Sequence, residues 1–240
     1  MTNCAVVTGG VRGIGRQIAL KLADAGFQVF ATYRSNREAA ENVERDSGGR
    51  IKAIPVDGGD IRAVEEFRAV VLQTGTPTVL VNNAGVTGDG LLMENGIQRI
   101  AESMNNNFMG TVNFTLTFLD DMMKKREGNI INLSSSAAHK IKPGNAAYGC
   151  SKIAIERFSK GLAKEVGRFN IFVNCVAPGW VETEMFKTFA GPQRKEILKD
   201  IPTRKILQPE EVAQVVTDLA MRRTNTTGSV LTLGNGEQII

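Results

Sequence analysis

The segment Thr8-Gly9-Gly10-Val11-Arg12-Gly13-Ile14-Gly15 lies between a short apolar run, residues 4–8, and an apolar-periodic run, residues 14–25. The first run predicts a buried strand, and the second predicts an amphipathic helix that Gly26 closes. The glycines permit a tight turn and let the backbone approach a pyrophosphate, which the positive end of the following helix attracts. The segment therefore predicts a phosphate-binding loop, with Gly9, Arg12, Gly13, Ile14 and Gly15 as its candidate residues. Its spacing is not GxGxxG, and no Gly-Lys-Ser/Thr follows, so a Walker loop is not predicted.

Strands and helices alternate over the rest of the chain. Such alternation predicts βαβ units and a parallel sheet that helices cover on both faces. No linker, repeat or shift in composition divides the sequence. We therefore predict a single domain over residues 1–240, an α/β doubly wound (Rossmann-type) sheet of about seven parallel strands. The predicted strands are 4–8, 27–32, 51–56, 78–81, 130–133, 171–176 and 229–233, and the predicted helices include 14–25, 37–46, 61–73, 209–221 and one long helix over 97–125, ended by Gly128.

Composition excludes several classes of protein. Apolar residues make up 42% and charged residues 22% of the chain, as in ordinary globular proteins. No apolar run is long enough to span a membrane, and the first residues do not resemble a signal peptide. The three cysteines, Cys4, Cys150 and Cys175, are far apart. This spacing predicts neither a disulfide scaffold nor a metal site, and it is typical of a cytoplasmic protein.

The basic residues are spread along the chain, although the net charge is +4. Aromatic residues make up only 6% of the sequence, so no stacking platform for nucleic acid is predicted. The charge is compatible with phosphate-bearing small molecules or an acidic carrier protein. Lys124, Lys125, Arg126 and Arg168 are candidates for a patch that receives such a carrier, and the alternative is a solvated helix end.

The end of the second predicted strand bears on the choice of cofactor. A site for NAD would place an acid there, about 20 residues beyond the glycines, to bind the ribose hydroxyls. This chain has no acid before Glu38, and Arg34 follows the strand. Arg12 and Arg34 can both face a 2′-phosphate, which favours NADP(H) over NAD(H). The alternative is that Arg34 and Arg37 are solvated loop charges.

Two further loops fall at the same predicted edge of the sheet. Asp57 and Gly58 follow the third strand, where a carboxylate can accept a hydrogen bond from an adenine amino group. Asn83, Ala84 and Gly85 follow the fourth strand and are small enough for a ligand to come close. Each loop, taken alone, is equally typical of a plain turn.

Tyr148-Gly149-Cys150-Ser151-Lys152 opens a predicted helix. Tyr148 and Lys152 are four residues apart, so they lie on one face of it, one turn from each other. A free phenol has a pKa near ~10, and a neighbouring ammonium lowers this pKa towards usable acid–base chemistry. The alternative is a surface tyrosine and a surface lysine that happen to be one turn apart.

Six motifs follow one another along the chain: TGGVRGIG at 8–15, NNAG at 82–85, Asn107, Ser135, YGCSK at 148–152 and PGWVET at 178–183. Taken together, they resemble the short-chain dehydrogenase/reductase family over essentially the whole chain. Shorter stretches, such as Leu91-Leu92-Met93 and the run at residues 122–126, make the sequence most similar to the 3-oxoacyl-[acyl-carrier-protein] reductases and the acetoacetyl-CoA reductases.

The resemblance implies four catalytic residues: Tyr148 as proton donor, Lys152 to lower its pKa and hold the nicotinamide ribose, Ser135 to stabilise the substrate oxygen, and Asn107 to support a water relay to Lys152. Asn106 is the fallback for Asn107. The spacing to Tyr148 selects Ser135 over its neighbours Ser134 and Ser136. Thr183 is expected near the carboxamide or the pyrophosphate. The full set of expected cofactor-binding residues is Gly9, Arg12, Gly13, Ile14, Gly15, Arg34, Asp57, Gly58, Asn83, Ala84, Gly85, Tyr148, Lys152, Pro178, Gly179, Val181 and Thr183.

The implied reaction is hydride transfer from NADPH to a 3-oxoacyl thioester linked to acyl carrier protein or coenzyme A. Residues 184–205 are the expected substrate lid, where Met185, Phe186 and Phe189 either face an acyl chain or pack on the core. A homotetramer built partly on the helices of Asn107 and Tyr148 is also implied.

Two other functions stay open. One is an NADP-dependent dehydrogenase of a sugar, a steroid or another secondary alcohol, and the other is a dinucleotide-sensing regulator without turnover. A Ser–His–Asp hydrolase is not predicted, because His139 is the only histidine and no GxSxG elbow is present. Gly58 and the tail at residues 233–237 depart from the pattern of the similar reductases.

Overall fold

One parallel sheet of seven strands forms the centre of residues 3–237, the part of the chain that the computed structural model describes, without the side chains of Phe189 and Pro192. The strands are β1 Cys4–Val7, β2 Gln28–Tyr33, β3 Ile51–Pro55, β4 Val79–Asn82, β5 Gly128–Leu133, β6 Ile171–Pro178 and β7 Val230–Leu233. Their order in the sheet is β3-β2-β1-β4-β5-β6-β7, which reverses direction next to β1. This order confirms the predicted doubly wound fold.

Helices cover both faces of the sheet. Successive strand residues point to opposite faces, so Val6 belongs to one apolar cluster and Val7 to the other. The helices are α1 Gly13–Asp24, α2 Arg37–Asp46, α3 Ile61–Leu72, α4 Gly96–Ser103, α5 Gly110–Lys125, α6 Ala146–Val166, α7 Glu184–Ala190, α8 Arg194–Asp200 and α9 Pro209–Ala220. The cluster around Val7 includes residues of α1, α2 and α9, and the cluster around Val6 includes residues of α3, α5 and α6.

The long helix predicted over 97–125 is not continuous. A π-helical turn, Met104–Met109, separates α4 from α5. The predicted last residue, Lys125, is confirmed, but Arg126 in a left-handed conformation (φ 54°) ends α5, so the prediction that Gly128 ends the helix was wrong. Gly128 instead begins β5, where a Cβ would lie only 2.9 Å from the sulfur of Met122. Close packing therefore accounts for the glycine at position 128.

The predicted lid, residues 184–205, contains the two short helices α7 and α8. A small apolar cluster of its own includes Phe186, which is 4% exposed and packs on the ring of Trp180 at 5.4 Å. Of the two predicted alternatives, Phe186 follows the packed one, while Met185 stays 46% exposed. The prediction for the side chain of Phe189 lies outside the described part of the structure.

Three further observations concern membranes, metals and thiols. Within residues 3–237, no helix combines the length and apolar character needed to cross a membrane. The same residues include no cluster of three or more His, Cys, Asp or Glu side chains suited to a metal ion. Cys4, Cys150 and Cys175 are free thiols, and only Cys150 is exposed.

Candidate active site

A cleft of about 1220 Å³ runs across the carboxyl ends of the strands, at the point where the strand order reverses. Its size exceeds that of a typical small-ligand pocket and suits a dinucleotide together with a substrate. All the predicted cofactor-binding residues line this cleft, and so do Ser135, Tyr148 and Lys152. Asn107 is the exception, since it lies fully buried behind the cleft wall.

The loop after β1 has the form that a phosphate site requires. Gly9 and Gly13 take left-handed conformations, at φ 62° and 51°, and a side chain at Gly15 would collide with the carbonyl of Gly9. Arg12 caps α1 without a side-chain hydrogen bond, and the first turn of the helix has no acid. The N-terminal amides of α1 are therefore available to an anion.

Thr8 and Asn83 brace this loop from behind. The Thr8 hydroxyl accepts the backbone N–H groups of Asn83 and Ala84, both at 2.9 Å. The Asn83 amide donates to the carbonyls of Thr8 at 2.9 Å and Gly9 at 3.2 Å. Asn83 was predicted as a cofactor contact, and the structure also gives it this bracing role. Thr8, which sequence reasoning did not assign to the site, joins the loops after β1 and β4.

Arg34 stands at the far end of the cleft beside Asp57. Its guanidinium lies 3.4 Å from the Asp57 carboxylate and donates to the amide of Asn106 at 3.3 Å. Next to Asp57, a Cβ at Gly58 would lie 3.0 Å from the ring of Phe114. The buried ring of Phe114 thus occupies the space beside Gly58, which explains the absence of a larger apolar residue at this position.

Ser135 and Tyr148 meet at the centre of the cleft. Both residues line the cleft. Burial raises the pKa of Tyr148 to about 12; the neighbouring Ser135 hydroxyl acts in the opposite direction, and the charge of Asp89 adds to the increase. Tyr148 is therefore fully protonated at neutral pH and can act as a proton donor. Asp89, a second cleft residue that the sequence analysis missed, reinforces this state.

Lys152 lies one helical turn below Tyr148, as predicted, and is only 3% exposed. Its ammonium donates to the carbonyl of Leu133 at 2.8 Å and lies 5.6 Å from the centre of the Tyr148 ring. Burial lowers the pKa of Lys152 to about 8. The expectation of a lowered Tyr148 pKa was wrong for this geometry, because burial of the phenol determines the direction of its shift. The contribution of Lys152 to that pKa stays a prediction.

Asn107 sits in the π-helical turn and binds the loop after β4. Its amide accepts from the N–H of Val86 at 2.8 Å and donates to the carbonyl of Val86 at 3.0 Å. It also donates to the hydroxyl of Ser151 at 2.9 Å. A Cβ at Gly85 would lie 3.1 Å from the Asn107 amide oxygen and 3.5 Å from the Lys152 nitrogen, so both groups border the same space. The water relay between them stays a prediction.

The fallback residue Asn106 has different surroundings. Its amide donates to the carbonyl of Glu102 at 2.8 Å and accepts from Arg34. It therefore faces the Arg34 end of the cleft, whereas Asn107 faces Lys152. This difference supports the choice of Asn107.

Thr183 lies beside the phosphate loop. Its hydroxyl caps α7 by accepting the N–H of Phe186 at 3.2 Å, and its methyl group would lie 3.5 Å from a Cβ at Gly13. Thr183 thus borders the predicted phosphate loop, and its place beside the pyrophosphate or the carboxamide stays a prediction. Val181 forms a parallel bridge with Leu207 and so ties this loop to the segment before α9.

Comparison with known proteins agrees with this geometry. A family model described as short chain dehydrogenase matches residues 3–193. The chain belongs to the short-chain dehydrogenase family. It is 35% identical to the 3-oxoacyl-[acyl-carrier-protein] reductase FabG of Chlamydia muridarum over 241 residues, covering 98% of this chain and 97% of the relative. It is 34% identical to the enzyme of the same name from Staphylococcus aureus over 243 residues, covering 98% of both.

Solved structures give the same result. A structure described as a putative betaketoacyl-ACP reductase matches with a TM-score of 0.89 at 30% identity, covering 99% of this chain and 98% of that one. Actinorhodin polyketide ketoreductase, in a variant solved with NADPH, matches with a TM-score of 0.93 at 28% identity, covering 100% and 98%. This short-chain dehydrogenase is an oxidoreductase that acts on a ketone or an alcohol and uses a nicotinamide dinucleotide.

The residues of the cleft fit that cofactor. The open N-terminus of α1 suits the pyrophosphate, and the space bordered by Gly85, Asn107 and Lys152 lies on the side of Tyr148. Sequence reasoning missed Glu237, which lines this short-chain dehydrogenase's cleft from the end of the described chain. No spacing signal connects it to the motifs, because its partner Ser136 is 101 residues away in sequence.

Proposed function

We propose that this short-chain dehydrogenase uses NADPH to reduce the ketone of a 3-oxoacyl thioester to the 3-hydroxyacyl thioester. The observation that carries the proposal is the match to relatives named 3-oxoacyl-[acyl-carrier-protein] reductase over 98% of the chain. The similarity therefore extends beyond the cofactor half into residues 184–205, the substrate-side lid. Those relatives point to the reduction of acyl thioesters of the kind used in fatty acid synthesis.

The chain's own residues account for the proton chemistry of this reaction. When bound, the dinucleotide supplies the hydride that reduces the carbonyl carbon. Ser135 and Tyr148 present adjacent hydroxyl groups to the carbonyl oxygen, and both can donate to it as negative charge develops. Tyr148 then gives its proton to the alkoxide. The Lys152 ammonium, which donates to the Leu133 carbonyl, stays mostly protonated at neutral pH because its pKa is about 8, so a positive charge lies one helical turn from Tyr148.

The preference for NADPH is supported by the surroundings of Arg34. Its side chain is 66% exposed and its partner Asp57 is 46% exposed, and such exposed ion pairs contribute little to stability. The guanidinium can therefore exchange this partner for a 2′-phosphate, which offers more charge and more acceptors. Arg12, also exposed at the mouth of the cleft, adds a second positive charge.

Acyl carrier protein is the carrier that the relatives' names favour. The candidate patch lies at the end of α5 and after α6, where the Arg126 guanidinium donates to the carbonyl of Arg168 at 2.9 Å. Lys124 and Lys125 are paired with Asp120 and with a neighbouring glutamate. Arg126 and Arg168 are therefore the residues that we propose receive an acidic carrier.

A homotetramer remains part of the proposal. Apolar side chains on and near α5 and α6 are exposed in the single chain: Met109 is 41%, Leu116 53% and Ile153 40% exposed. Exposed apolar residues on adjacent helices are typical of surfaces that another subunit covers. Sedimentation velocity measures the mass directly, and a monomer at micromolar concentration would contradict this part of the proposal.

The experiment that tests the proposal follows NADPH oxidation with acetoacetyl-CoA, beside NADH and a panel of simple ketones and sugars. We expect rapid turnover with NADPH and the thioester. Tyr148→Phe should abolish it while dinucleotide affinity stays within a few-fold, since only the proton donor is lost. Turnover of a sugar or a steroid alone would replace the acyl substrate with another secondary alcohol. Dinucleotide binding without turnover of any carbonyl would favour a sensor.

A further inference from the structure

We propose that Glu237 is a positioning residue, which holds the loop after β6 in register with the segment that carries Ser135. Glu237 is 7% exposed and follows β7 in a turn, residues 234–237, at the end of the described chain. Its carboxylate nevertheless lines the cleft. The inference rests on the proposed function, with Gly179 among the expected cofactor-binding residues.

Three donors from two segments converge on this carboxylate. One oxygen accepts the backbone N–H of Trp180 at 3.1 Å. The other accepts the hydroxyl of Ser136 at 3.4 Å and lies 3.8 Å from the ammonium of Lys140. Trp180 belongs to the loop after β6, whereas Ser136 and Lys140 belong to the segment after β5. Glu237 therefore joins the two walls between which the reaction takes place.

Gly179 is the residue that lets the carboxylate approach. A Cβ at this position would collide with the nearer oxygen of Glu237 and would lie 3.2 Å from the Cα of Gly234. The backbone of the loop is thus packed directly against the side chain of Glu237 and the turn that carries it. A rigid contact of this kind transmits a displacement of either partner to the other.

The same turn also contacts the base of the lid. The amide of Asn235 donates to the carbonyl of Lys205 at 3.0 Å. A Cβ at Gly236 would lie 2.8 Å from the ring of Pro202. The turn at residues 234–237 is therefore packed between the end of the lid and the two loops that Glu237 joins.

An ionised carboxylate is the side chain that satisfies this site. It accepts hydrogen bonds at both oxygens and donates none, which matches an N–H, a hydroxyl and an ammonium. A glutamine would turn an NH₂ group towards one of these donors and would leave Lys140 without its counter-charge. Glu237→Gln is thus a change of charge at nearly constant volume, and Glu237→Ala removes all three interactions.

The consequence for catalysis is geometric. A displacement of about 1 Å between reacting groups can lower a rate by as much as ~10²-fold, even when its cause is remote. Ser136 follows Ser135, and Trp180 follows the Pro178-Gly179 pair, so Glu237 fixes the separation of these two sides. We expect kcat to depend on Glu237, while most of the dinucleotide's affinity comes from the distant phosphate loop.

Trp180 provides a readout that does not depend on turnover, because it is the single tryptophan of the chain. We would record its emission maximum and its quenching by acrylamide in the full-length wild type, Glu237→Gln and Glu237→Ala. Glu41→Ala is the matched control, since it removes an acid of α2 that is 60% exposed, pairs with Arg37 and does not line the cleft. The kinetic measurement uses whichever carbonyl compound the wild type reduces, so failure of the thioester assignment leaves this test intact.

We expect red-shifted, more readily quenched emission for both Glu237 variants, a roughly tenfold or greater fall in kcat and a dinucleotide Kd within about threefold of the wild type. Lys140→Met should cause a smaller change in the same direction. Should Glu237→Ala fail to fold, Glu237→Gln and Lys140→Met decide the outcome. Emission and kcat equal to those of Glu41→Ala, with only the melting temperature lowered, would show that Glu237 is merely structural and overturn the proposal.

Discussion

Asn107 holds both polar groups of the Val86 backbone, accepting from its N–H at 2.8 Å and donating to its carbonyl at 3.0 Å. The Asn107 amide thus satisfies both backbone polar groups of Val86, as a neighbouring β-strand would. Its third contact, to Ser151 at 2.9 Å, leads to the Tyr148 carbonyl, which accepts the Ser151 hydroxyl at 2.7 Å. Asn107 therefore links the loop after β4, which borders the cleft, to the helix that carries Tyr148.

Asn107→Ala should therefore destabilise the protein and lower its activity. The change leaves the N–H and carbonyl of Val86 and the hydroxyl of Ser151 without this partner in a closed environment. We expect a loss of about 2–4 kcal/mol in the free energy of unfolding. Urea unfolding followed by circular dichroism measures the loss. The control is Asn106→Ala, one residue earlier, for which we expect a change below about 1 kcal/mol, and equal losses in the two variants would contradict this role.

The π-helical turn that places Asn107 could not be predicted from the sequence. The apolar pattern of residues 97–125 fits one continuous helix, because a single widened turn shifts the helical face without a distinctive composition. Tyr148 and Lys152, in contrast, were placed correctly, since their relation depends only on the rise of one helical turn. The periodicity of apolar residues can be read from a sequence, whereas the widened hydrogen-bond pattern of a π-helical turn cannot.

Contacts between segments that are distant in sequence could not be predicted either. The spacing of motifs located the loops at one edge of the sheet, because the ends of parallel strands meet there. It did not reveal that Phe114 fills the space beside Gly58, or that Glu237 reaches Ser136 from 101 residues away. The direction of the Tyr148 pKa shift was predicted wrongly for a related reason. That direction depends on how deeply the phenol is buried, and burial is determined by tertiary packing.

Arg34→Ala should weaken the preference for NADPH. A guanidinium hydrogen bond to a phosphate contributes about 1.5–3 kcal/mol, so we expect kcat/KM with NADPH to fall roughly tenfold or more. The value with NADH should change by less than about threefold, since NADH lacks the 2′-phosphate. Arg37→Ala is the matched control, because Arg37 is 84% exposed and paired with Glu41. If Arg34→Ala leaves the ratio of kcat/KM with NADPH to kcat/KM with NADH unchanged, Arg34 is a solvated loop charge and does not bind the 2′-phosphate.

Lys152 should give the stability of the protein a specific dependence on pH. Burial lowers the pKa of Lys152 to about 8 from 10.5. Below pH 8 both the folded and the unfolded chain carry the proton, and the cost of the buried ammonium is present in full. Between the two pKa values the unfolded chain still binds a proton that the folded chain has released. The free energy of unfolding therefore rises with pH across this window.

The comparison with Lys152→Met isolates this effect. The wild-type free energy of unfolding, minus that of the variant, should rise by on the order of 3 kcal/mol between about pH 8 and pH 10.5. Burial raises the pKa of Cys4, of Cys175 and of Tyr148 to about 12, so these groups lower stability at alkaline pH in both proteins and largely cancel in the difference. Urea titrations at several pH values measure it, and a difference that stays flat would mean that Lys152 is not desolvated.

Gly15→Ala should disrupt the phosphate loop. The added methyl group would collide with the carbonyl of Gly9 and with the amide of Asn83, which itself holds the loop through Thr8. Backbone atoms cannot rotate away as a flexible side chain does, so the loop must move. The N-terminal N–H groups of α1 would then no longer point towards the expected position of the pyrophosphate. We expect a tenfold or greater fall in dinucleotide affinity and a loss of about 1–3 kcal/mol in stability.

Gly167→Ala tests the specificity of this effect, since a Cβ there meets no atom of the described residues within 4 Å. It should leave affinity unchanged, and a Gly15→Ala protein that binds the dinucleotide as tightly would remove the loop from the cofactor site.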